Sequence, residues 1–340
     1  MSRIPTTCTK AVSGLLRRPF VCASIGLALA GAAASSTAAP IVIGYIPDDL
    51  SHPYNAATVQ GFQKAADAAG VSLKIINPRG SIEKQSNAID DFISQKVNAI
   101  GFLPLDSVVA VNLVDRAVEH HIPIGAIAVM VGDPQKRQIA DPYENLTALA
   151  TTDEIKGGEV AGTYAAKLLA NRPNASGKAK IAIIEGAAGF AVVKQRTDGF
   201  KSGLDKAGAS YQIVSSQPTN WTPEQGEQVC QNVVTANPDV ALIFSQADDM
   251  AVGCARALSA LGSEARIVST GGGSKLGNDA IAAGEIDASV CTRPKLLGEL
   301  LFKALYAAAT HPQDKPKAEY VTYDLPLITK QTLGDCPENW

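Results

Sequence analysis

The chain has 340 residues, of which 46% are hydrophobic and 19% are charged, and its formal net charge is −3 at pH 7. This length predicts two domains of ordinary size, and the apolar fraction excludes a disordered chain. A surplus of basic residues is typical of nucleic-acid-binding proteins, so the negative balance argues against a nucleic-acid partner. No apolar run of about 18 or more residues follows residue 40, which excludes a polytopic membrane protein.

Residues 1–38 have the composition of an export signal. They contain basic residues, including Arg17 and Arg18, but no acidic residue. A short apolar run, 21–34, follows, and small residues precede a cleavage point after Ala38. The alternative, a membrane anchor, is disfavoured because the run is short for a span of about 20 residues. We therefore predict a periplasmic protein whose signal is removed, with the route of export left open.

Four cysteines lie after the predicted signal, at Cys230, Cys254, Cys291 and Cys336. An even number of cysteines in an oxidising compartment predicts disulfides, and three pairings are available. We favour Cys230–Cys254, on two successive predicted helices, together with Cys291–Cys336, which would hold the tail of the chain. Free buried thiols are the alternative. Because the wide spacing matches no zinc pattern, we expect no metal.

Short runs rich in valine and isoleucine alternate with amphipathic stretches along the chain. The runs begin near Ile41, Leu73, Asn98 and Ile122, and then near Lys180, Tyr211, Val240 and Arg266. Apolar strands about 24 to 32 residues apart, each followed by a helix, predict parallel sheets built from strand–helix–strand units. Stretches such as 106–120 and 248–261 have the helical period.

The alternation divides the chain into two similar α/β halves, joined around 148–158. After them we predict a strand over 286–291, a helix over 295–309 and an extended run over 320–328. These late elements are expected to return to the first half, so that the chain crosses between the halves more than once. Because ligands bind beyond the carboxyl ends of parallel strands, the site is expected in a cleft between the halves.

Polar loops follow the predicted strands, and two aromatic residues lie in them. The loops are 47–55, 105–106, 185–190, 220–221, 247–249 and 271–273. Tyr54 and Trp221 could each stack on the apolar face of a small ligand, or pack against their own loop. No histidine, serine or glycine-rich pattern indicates a catalytic centre or a nucleotide. We therefore predict a protein that is not an enzyme and needs no cofactor.

Six stretches carry a family resemblance. They are His52-Pro53-Tyr54, 98–106, 152–153 with 157–158, 186–200, 216–218 with Trp221, and 245–258. Together they resemble the type I periplasmic solute-binding proteins, in the branch that includes ribose- and galactose-binding proteins of ABC importers. The last stretch, SQADDMAVGCARAL, is close to the Gln-Asn-Asp-Glu-Met-Ala-x-Gly signature of that family.

The resemblance implies two doubly wound α/β domains, joined by three crossovers, that close on one ligand. The boundaries expected are 1–38 for the signal, 39–152 plus 293–324 for one domain, and 153–292 plus 325–340 for the other. The implied partners are a small-molecule solute, carbohydrate or related, and an ABC permease in the inner membrane. We expect a monomer. The alternative is a periplasmic sensor of the same fold that presents its ligand-bound state to a chemoreceptor or sensor kinase.

The resemblance also implies a binding site. The residues expected to bind the ligand are His52, Tyr54, Asn55, Asp106, Lys194, Trp221, Asp248, Gly271, Thr292 and Arg293. Tyr54 and Trp221 fall where the family stacks aromatic rings on the sugar. Lys194 replaces an arginine, Gly271 an aspartate and Thr292 a glutamine, so several partners of sugar hydroxyls are missing.

A buried polar group without a hydrogen-bond partner costs free energy. This sequence lacks several of the side chains with which the family binds sugar hydroxyls. We therefore hypothesise a solute that is less hydroxylated, anionic, or bulkier on the side of Gly271. Lys194 and Arg293 would supply positive charge. Tight binding of an ordinary neutral monosaccharide would contradict this hypothesis.

Overall fold

The computed structural model describes residues 40–170, 172, 177–311, 317–338 and 340. The predicted export signal lies outside these residues. Within them, the strands in chain order are β1 (Val42–Ile46), β2 (Ser72–Ile75), β3 (Ala99–Phe102), β4 (Ile124–Ile127), β5 (Ala148–Ala150), β6 (Ala179–Glu185), β7 (Tyr211–Pro218), β8 (Leu242–Ser245), β9 (Arg266–Gly272), β10 (Ala288–Cys291), β11 (Glu319–Val321) and β12 (Leu327–Ile328).

The helices alternate with the strands, as the sequence period predicts. In chain order they are α1 (Pro53–Ala68), α2 (Ile82–Ser94), α3 (Val109–Glu119), α4 (Glu154–Leu169), α5 (Ala191–Lys206), α6 (Pro223–Ala236), α7 (Asp248–Leu261), α8 (Lys275–Ala283) and α9 (Pro294–Thr310). Several start at a side-chain cap. Ser81 accepts the backbone N–H of Lys84 at 3.3 Å, and Asp153 accepts that of Lys156 at 2.9 Å. Such caps satisfy N–H groups that the first turn leaves unpaired.

The described strands form two six-stranded sheets of matching topology. The first has the order β11-β5-β4-β3-β1-β2, and the second has the order β12-β10-β9-β8-β6-β7. All neighbours run parallel except β12, which is antiparallel to β10. The central strands β3, β4 and β8 are buried at every residue, because helices cover both faces of a parallel sheet.

Each sheet carries its own helices. We use "first lobe" for the first sheet with α1, α2, α3 and α9, and "second lobe" for the second sheet with α4 to α8 and the segment after β12. Residues 40–340 cluster as one compact unit. The residue boundaries of the two expected domains therefore stay a prediction.

The chain crosses between the sheets three times within the described residues, after β5, β10 and β11. The extended run expected over 320–328 is not one strand, since β11 and β12 belong to different sheets. The intervening residues 322–326 carry the chain from one sheet to the other, so they cannot stay in a ladder. β5, inside the expected joint at 148–158, is a further strand that the sequence analysis missed.

Both favoured cysteine pairs are brought to disulfide distance, and both lie in the second lobe. Cys230 on α6 and Cys254 on α7 have their Cα atoms 5.1 Å apart. Cys291 at the end of β10 and Cys336 in the tail have theirs 6.0 Å apart. These distances suit a disulfide. No helix among the described residues is long and apolar enough to cross a membrane.

Candidate functional site

A cavity of about 140 Å³ lies at the carboxyl ends of strands from both sheets. The first lobe reaches it through the loops after β1, β3 and β4 and the start of α1. The second lobe reaches it through the loops after β6, β7 and β8, the starts of α4, α5 and α7, and the end of β9. This is where a two-lobed parallel-sheet protein is expected to bind its ligand. A cavity of about 150 Å³ holds one benzene molecule, so the volume suits a single ring-sized solute.

Aromatic rings wall the cavity from both lobes. Tyr54 comes from the first lobe, and Phe190, Trp221 and Trp340 come from the second. The Tyr54 and Trp340 rings meet edge to face with centroids 5.9 Å apart, and Phe190 and Trp221 meet similarly at 6.3 Å. Aromatic faces bury apolar surface at little entropic cost. The cavity can therefore hold the apolar face of a ring-shaped solute.

Two carboxylates face the cavity from opposite lobes. Asp48 follows β1, and Asp249 is the second residue of α7. Burial is the largest influence on both and raises the pKa of each above the ordinary value of 3.8. The charge of His52 lowers the pKa of both to a lesser extent, so this histidine lies near both carboxylates. Asn55 Nδ2 donates to the Asp48 carboxylate and to the backbone oxygen of Asp49, and these two hydrogen bonds orient the Asp48 side chain.

Arg196 is the one lysine or arginine of the described residues that lines the cavity, and a buried carboxylate neutralises it. Arg196 is only 8% exposed, and its Nε donates to Glu154 Oε2 at 2.6 Å. Its Nη1 donates to the backbone oxygen of Gln246. The guanidinium carbon lies 6.0 Å from the centre of the Trp221 ring. No lysine or arginine of the described chain forms an ion pair with Asp48 or Asp249, so neither carboxylate is neutralised in that way.

Several residues that line the cavity have unusual backbone conformations. Ala128 and Trp221 have φ angles of 62° and 70°, and Gly271 has 77°. For residues other than glycine such angles cost free energy and cluster at functional sites. Gly186 lies directly under Trp221, since a Cβ there would be 1.7 Å from the indole ring. The backbone conformations at Ala128, Trp221 and Gly271 thus place these three residues against the cavity.

Five of the ten expected binding residues line the cavity. These are His52, Tyr54, Asn55, Trp221 and Gly271. The resemblance placed them at strand ends, and the parallel sheets bring those ends together. Whether they bind a ligand stays a prediction.

The structure places the other five expected residues outside the cavity. Asp106 accepts the backbone N–H groups of Val108 and Val109, each at 2.8 Å, and so caps the turn before α3. Thr292 is buried and donates to the backbone oxygen of Gly272 at 3.0 Å. The side chains of Asp106 and Thr292 therefore make hydrogen bonds that stabilise the fold.

The charged residues outside the cavity are also engaged elsewhere. The Lys194 side chain is 73% exposed and pairs with Asp198 one turn along α5. Arg293 donates to the backbone oxygen of Asp335 at 3.2 Å. Asp248 is fully buried and accepts from Ser269 Oγ and Ser289 Oγ, each at 2.6 Å. Neither expected cation therefore supplies charge to the cavity in this structure.

The sequence analysis did not name five important lining residues, Asp48, Phe190, Arg196, Asp249 and Trp340. Asp48, Phe190 and Asp249 lie in loops that it placed at strand ends, so a finer reading of those loops could have found them. Arg196 lies two residues beyond Lys194, on the side of α5 that faces the interior. No local pattern points to Trp340. Within the described part of the chain, no cluster of three or more potential ligands could hold a metal.

Residues 43–313 match the family model described as "Periplasmic binding protein domain". The chain belongs to the type I periplasmic sugar-binding proteins of this family. This membership fits the observed fold of two parallel-sheet lobes around a cavity.

Two curated relatives match nearly the whole chain. The ribose import binding protein RbsB of Escherichia coli K12 is 28% identical over 309 residues, covering 90% of this chain and 96% of RbsB. The D-allose-binding periplasmic protein of the same organism is 27% identical over 313 residues, with the same coverage. A Mycobacterium smegmatis protein, solved in complex with β-D-fucofuranose, superposes with a TM-score of 0.76 and 26% identity, covering 87% of this chain and 93% of that one.

Proposed function

We propose that this protein is the solute-binding component of an ABC importer, which binds one small neutral polyhydroxy solute between its lobes and delivers it to a membrane permease. The observation that carries the proposal is the cavity itself, where aromatic rings and carboxylates of both lobes converge. The printed names of the relatives, which concern ribose and D-allose, support the same class of solute. We infer a periplasmic location, removal of residues 1–38, and a monomer.

The lining of the cavity defines the chemistry of the solute. Asp48 and Asp249 can each accept hydrogen bonds from hydroxyl groups, and charge-assisted bonds of this kind are strong. Tyr54 and Trp221 can cover the C–H face of a sugar or cyclitol ring. A solute with hydroxyls at its edge and an apolar face would satisfy both sets of groups.

The charges argue against an anionic solute. Arg196 is paired with Glu154, while Asp48 and Asp249 have no lysine or arginine partner among the described residues. An anion would therefore meet two carboxylates and no lysine or arginine that is free to pair with it. We therefore do not retain the anionic solute, and we propose a neutral one.

Binding is expected to close the two lobes on the solute. Folds of this kind close by hinge motion at the segments that join the lobes. The three crossovers after β5, β10 and β11 are the hinge segments here. The permease would then recognise the closed arrangement of the outer faces.

The proposal is tested first by thermal unfolding of residues 39–340, unfolded and refolded to remove any bound solute. The panel contains D-ribose, D-allose, myo-inositol, D-gluconate and D-glucosamine. A ligand at about 100 times its dissociation constant stabilises by about 2.7 kcal/mol, which raises the melting temperature by several degrees. We expect a rise with a neutral compound. A rise with D-gluconate alone would contradict the neutral solute, and no rise at all would contradict the proposed solute class.

Delivery to a permease needs a separate measurement. Cells that lack the gene are expected to lose high-affinity uptake of the labelled solute and to regain it when the wild-type chain is supplied. The double variant Trp221→Ala/Asp249→Asn, which combines two of the expected losses of affinity, is the matched control, because it should fold and be exported without restoring uptake. Unchanged uptake in the deleted strain would contradict the importer role.

A further inference from the structure

The segment after β12, described over residues 329–338 and 340, follows the surface of the second lobe and reaches the cavity. Cys336 is buried against Cys291, and Asn278 Nδ2 donates to the backbone oxygen of Cys336 at 3.1 Å. The backbone N–H of Lys275, at the start of α8, donates to the backbone oxygen of Trp340 at 3.1 Å. These contacts hold the segment at both its middle and its last residue.

The side chain of Trp340 is placed between the lobes. Its ring contacts the ring of Tyr54, which belongs to the first lobe, and it lines the same cavity as Trp221. The indole Nε1 is shielded from solvent but has no hydrogen-bond partner among the described residues. Buried indole N–H groups normally find an acceptor, because an unpaired donor costs free energy. The missing acceptor is therefore expected to come from whatever occupies the cavity.

We propose that Trp340 is a further solute-binding residue, whose ring covers one side of the solute and whose Nε1 donates to a solute oxygen. The Cys291–Cys336 pair is the positioning element that holds the segment in place. This inference rests on the proposed function, since it requires that the solute enters this cavity. The solute class that it specifies has an acceptor oxygen, such as a ring oxygen or a hydroxyl, at the edge of a flat apolar face.

The chain contains two tryptophans, Trp221 and Trp340, and both line the cavity. In the variant Trp221→Phe the tryptophan emission comes from Trp340 alone. We expect D-ribose, D-allose or myo-inositol, whichever binds the wild-type chain, to change the intensity or wavelength of this emission in a saturable way. Emission that stays constant while calorimetry shows binding would overturn the inference.

Affinity measurements separate the ring of Trp340 from its N–H group. Trp340→Phe keeps an aromatic wall and loses the donor, so we expect affinity to fall by about three- to tenfold. Trp340→Ala loses both, and we expect a fall of about ten- to a hundredfold. Glu338→Ala, an exposed change in the same segment, is the control and should leave affinity unchanged. Unchanged or tighter binding by Trp340→Ala would overturn the inference, and tighter binding would mean that Trp340 competes with the solute.

The two cysteine pairs provide a matched test of positioning. The double variant Cys291→Ser/Cys336→Ser is expected to weaken binding nearly as much as Trp340→Ala, because the segment loses its anchor. Cys230→Ser/Cys254→Ser also removes a pair from the second lobe, but this pair joins α6 to α7 and does not hold the segment that carries Trp340. It should therefore bind with wild-type affinity at temperatures where it is folded. Equal affinities of the two double variants would contradict the positioning role.

The outcomes distinguish this inference from the proposed function. Binding of no panel member to the wild-type chain would overturn the proposed function and this inference with it. Binding to the wild-type chain, with Trp340→Ala unaffected, would overturn this inference alone.

Discussion

The two lobes share a sheet order but make different contributions to the cavity. Among the described residues, the first lobe supplies three polar groups, Asp48, His52 and Asn55, one aromatic ring, Tyr54, and the apolar side chains of Pro53, Leu103, Ala128 and Val129. The second lobe supplies three rings and the Arg196–Glu154 pair. The two sheets therefore have the same strand order but carry different loops, and binding sites on one fold commonly differ in this way. The comparison shows that the aromatic rings are concentrated on the second lobe, whereas each lobe places one carboxylate, Asp48 or Asp249, on the cavity.

The second lobe is also the one that holds both cysteine pairs. One pair joins α6 to α7, and the other joins β10 to the segment that ends in Trp340. We infer that the aromatic surface of the second lobe keeps its conformation while the first lobe closes onto it.

The largest expected effect is on stability, through the cysteine pairs. They enclose 24 and 45 residues of sequence separation, so each disulfide is expected to stabilise the folded state by about 3–4 kcal/mol. Reductant should lower the midpoint of denaturant unfolding, and hydrogen exchange should rise first in the second lobe. Thiol titration of the unfolded, unreduced chain is the control. Four reactive thiols in residues 39–340 would show that the pairs do not form.

The next largest effect concerns the aromatic walls. Trp221 lies against Gly186, Phe190 and Arg196, whereas Tyr54 is the one ring from the first lobe. We expect Trp221→Ala to weaken solute binding about a hundredfold and Tyr54→Ala about tenfold, because the indole is larger and covers more of the solute. Calorimetry measures both, and melting temperatures check that each variant is folded. Equal losses would remove the proposed asymmetry between the lobes.

Much of the fold could be predicted because burial on both faces of a parallel strand leaves a clear apolar run. The strand beginning near Ile41 and the one beginning near Val240 illustrate this, since both appear as β1 and β8 within a few residues. β5 and β11 were missed or merged because three-residue strands carry too little pattern. Tyr54 and Trp221 could be placed in the site because a polar loop makes an aromatic residue conspicuous.

The rest of the site depends on the direction of side chains, which sequence spacing leaves open. Lys194 and Arg196 are both on α5, but positions two apart on a helix point to different sides. The first is exposed and the second is buried beside Glu154. Asp248 and Asp249 likewise point into the core and into the cavity, respectively. Trp340 reaches the site through long-range contacts that no local pattern records.

The pH dependence of solute affinity tests the role of the two carboxylates, Asp48 and Asp249, and the expected effect is moderate. Burial raises the pKa of Asp48 and Asp249 above 3.8. Hydroxyls that donate to a carboxylate favour its ionised form, so solute binding releases protons and affinity should rise with pH through the range above 3.8. Below that range both carboxyls are protonated and affinity should reach its minimum. Calorimetry across this range measures the dependence.

Variants of each carboxylate show which lobe causes the pH dependence of affinity. Asp249→Asn should lower affinity at neutral pH by about tenfold and remove the contribution of the second lobe to the pH profile. Asp48→Asn should do the same for the first lobe. An affinity that does not change with pH in the wild-type chain would mean that neither carboxylate receives a solute hydroxyl.

The smallest expected effect compares Asp106 and Asp248, which follow corresponding strands in the two sheets. Asp106 is partly exposed and caps a turn, whereas Asp248 is buried, with Oδ2 unpaired among the described residues. Burial raises the pKa of Asp248 to about 6. Because the folded state then holds this proton more tightly than the unfolded chain, stability falls as pH rises from about 4 to about 6, and the full cost remains above 6.

Asp248→Asn keeps an oxygen for Ser269 and Ser289 but cannot ionise. We therefore expect it to raise the free energy of unfolding by about 1 kcal/mol at neutral pH and to flatten the fall between about pH 4 and pH 6. Asp106→Asn is the matched control and should change little, because asparagine caps about as well as aspartate. Denaturant unfolding at several pH values measures both variants. An Asp248→Asn variant that is less stable at neutral pH would show that the ionised carboxylate, through its two serine hydrogen bonds, stabilises the second lobe after all.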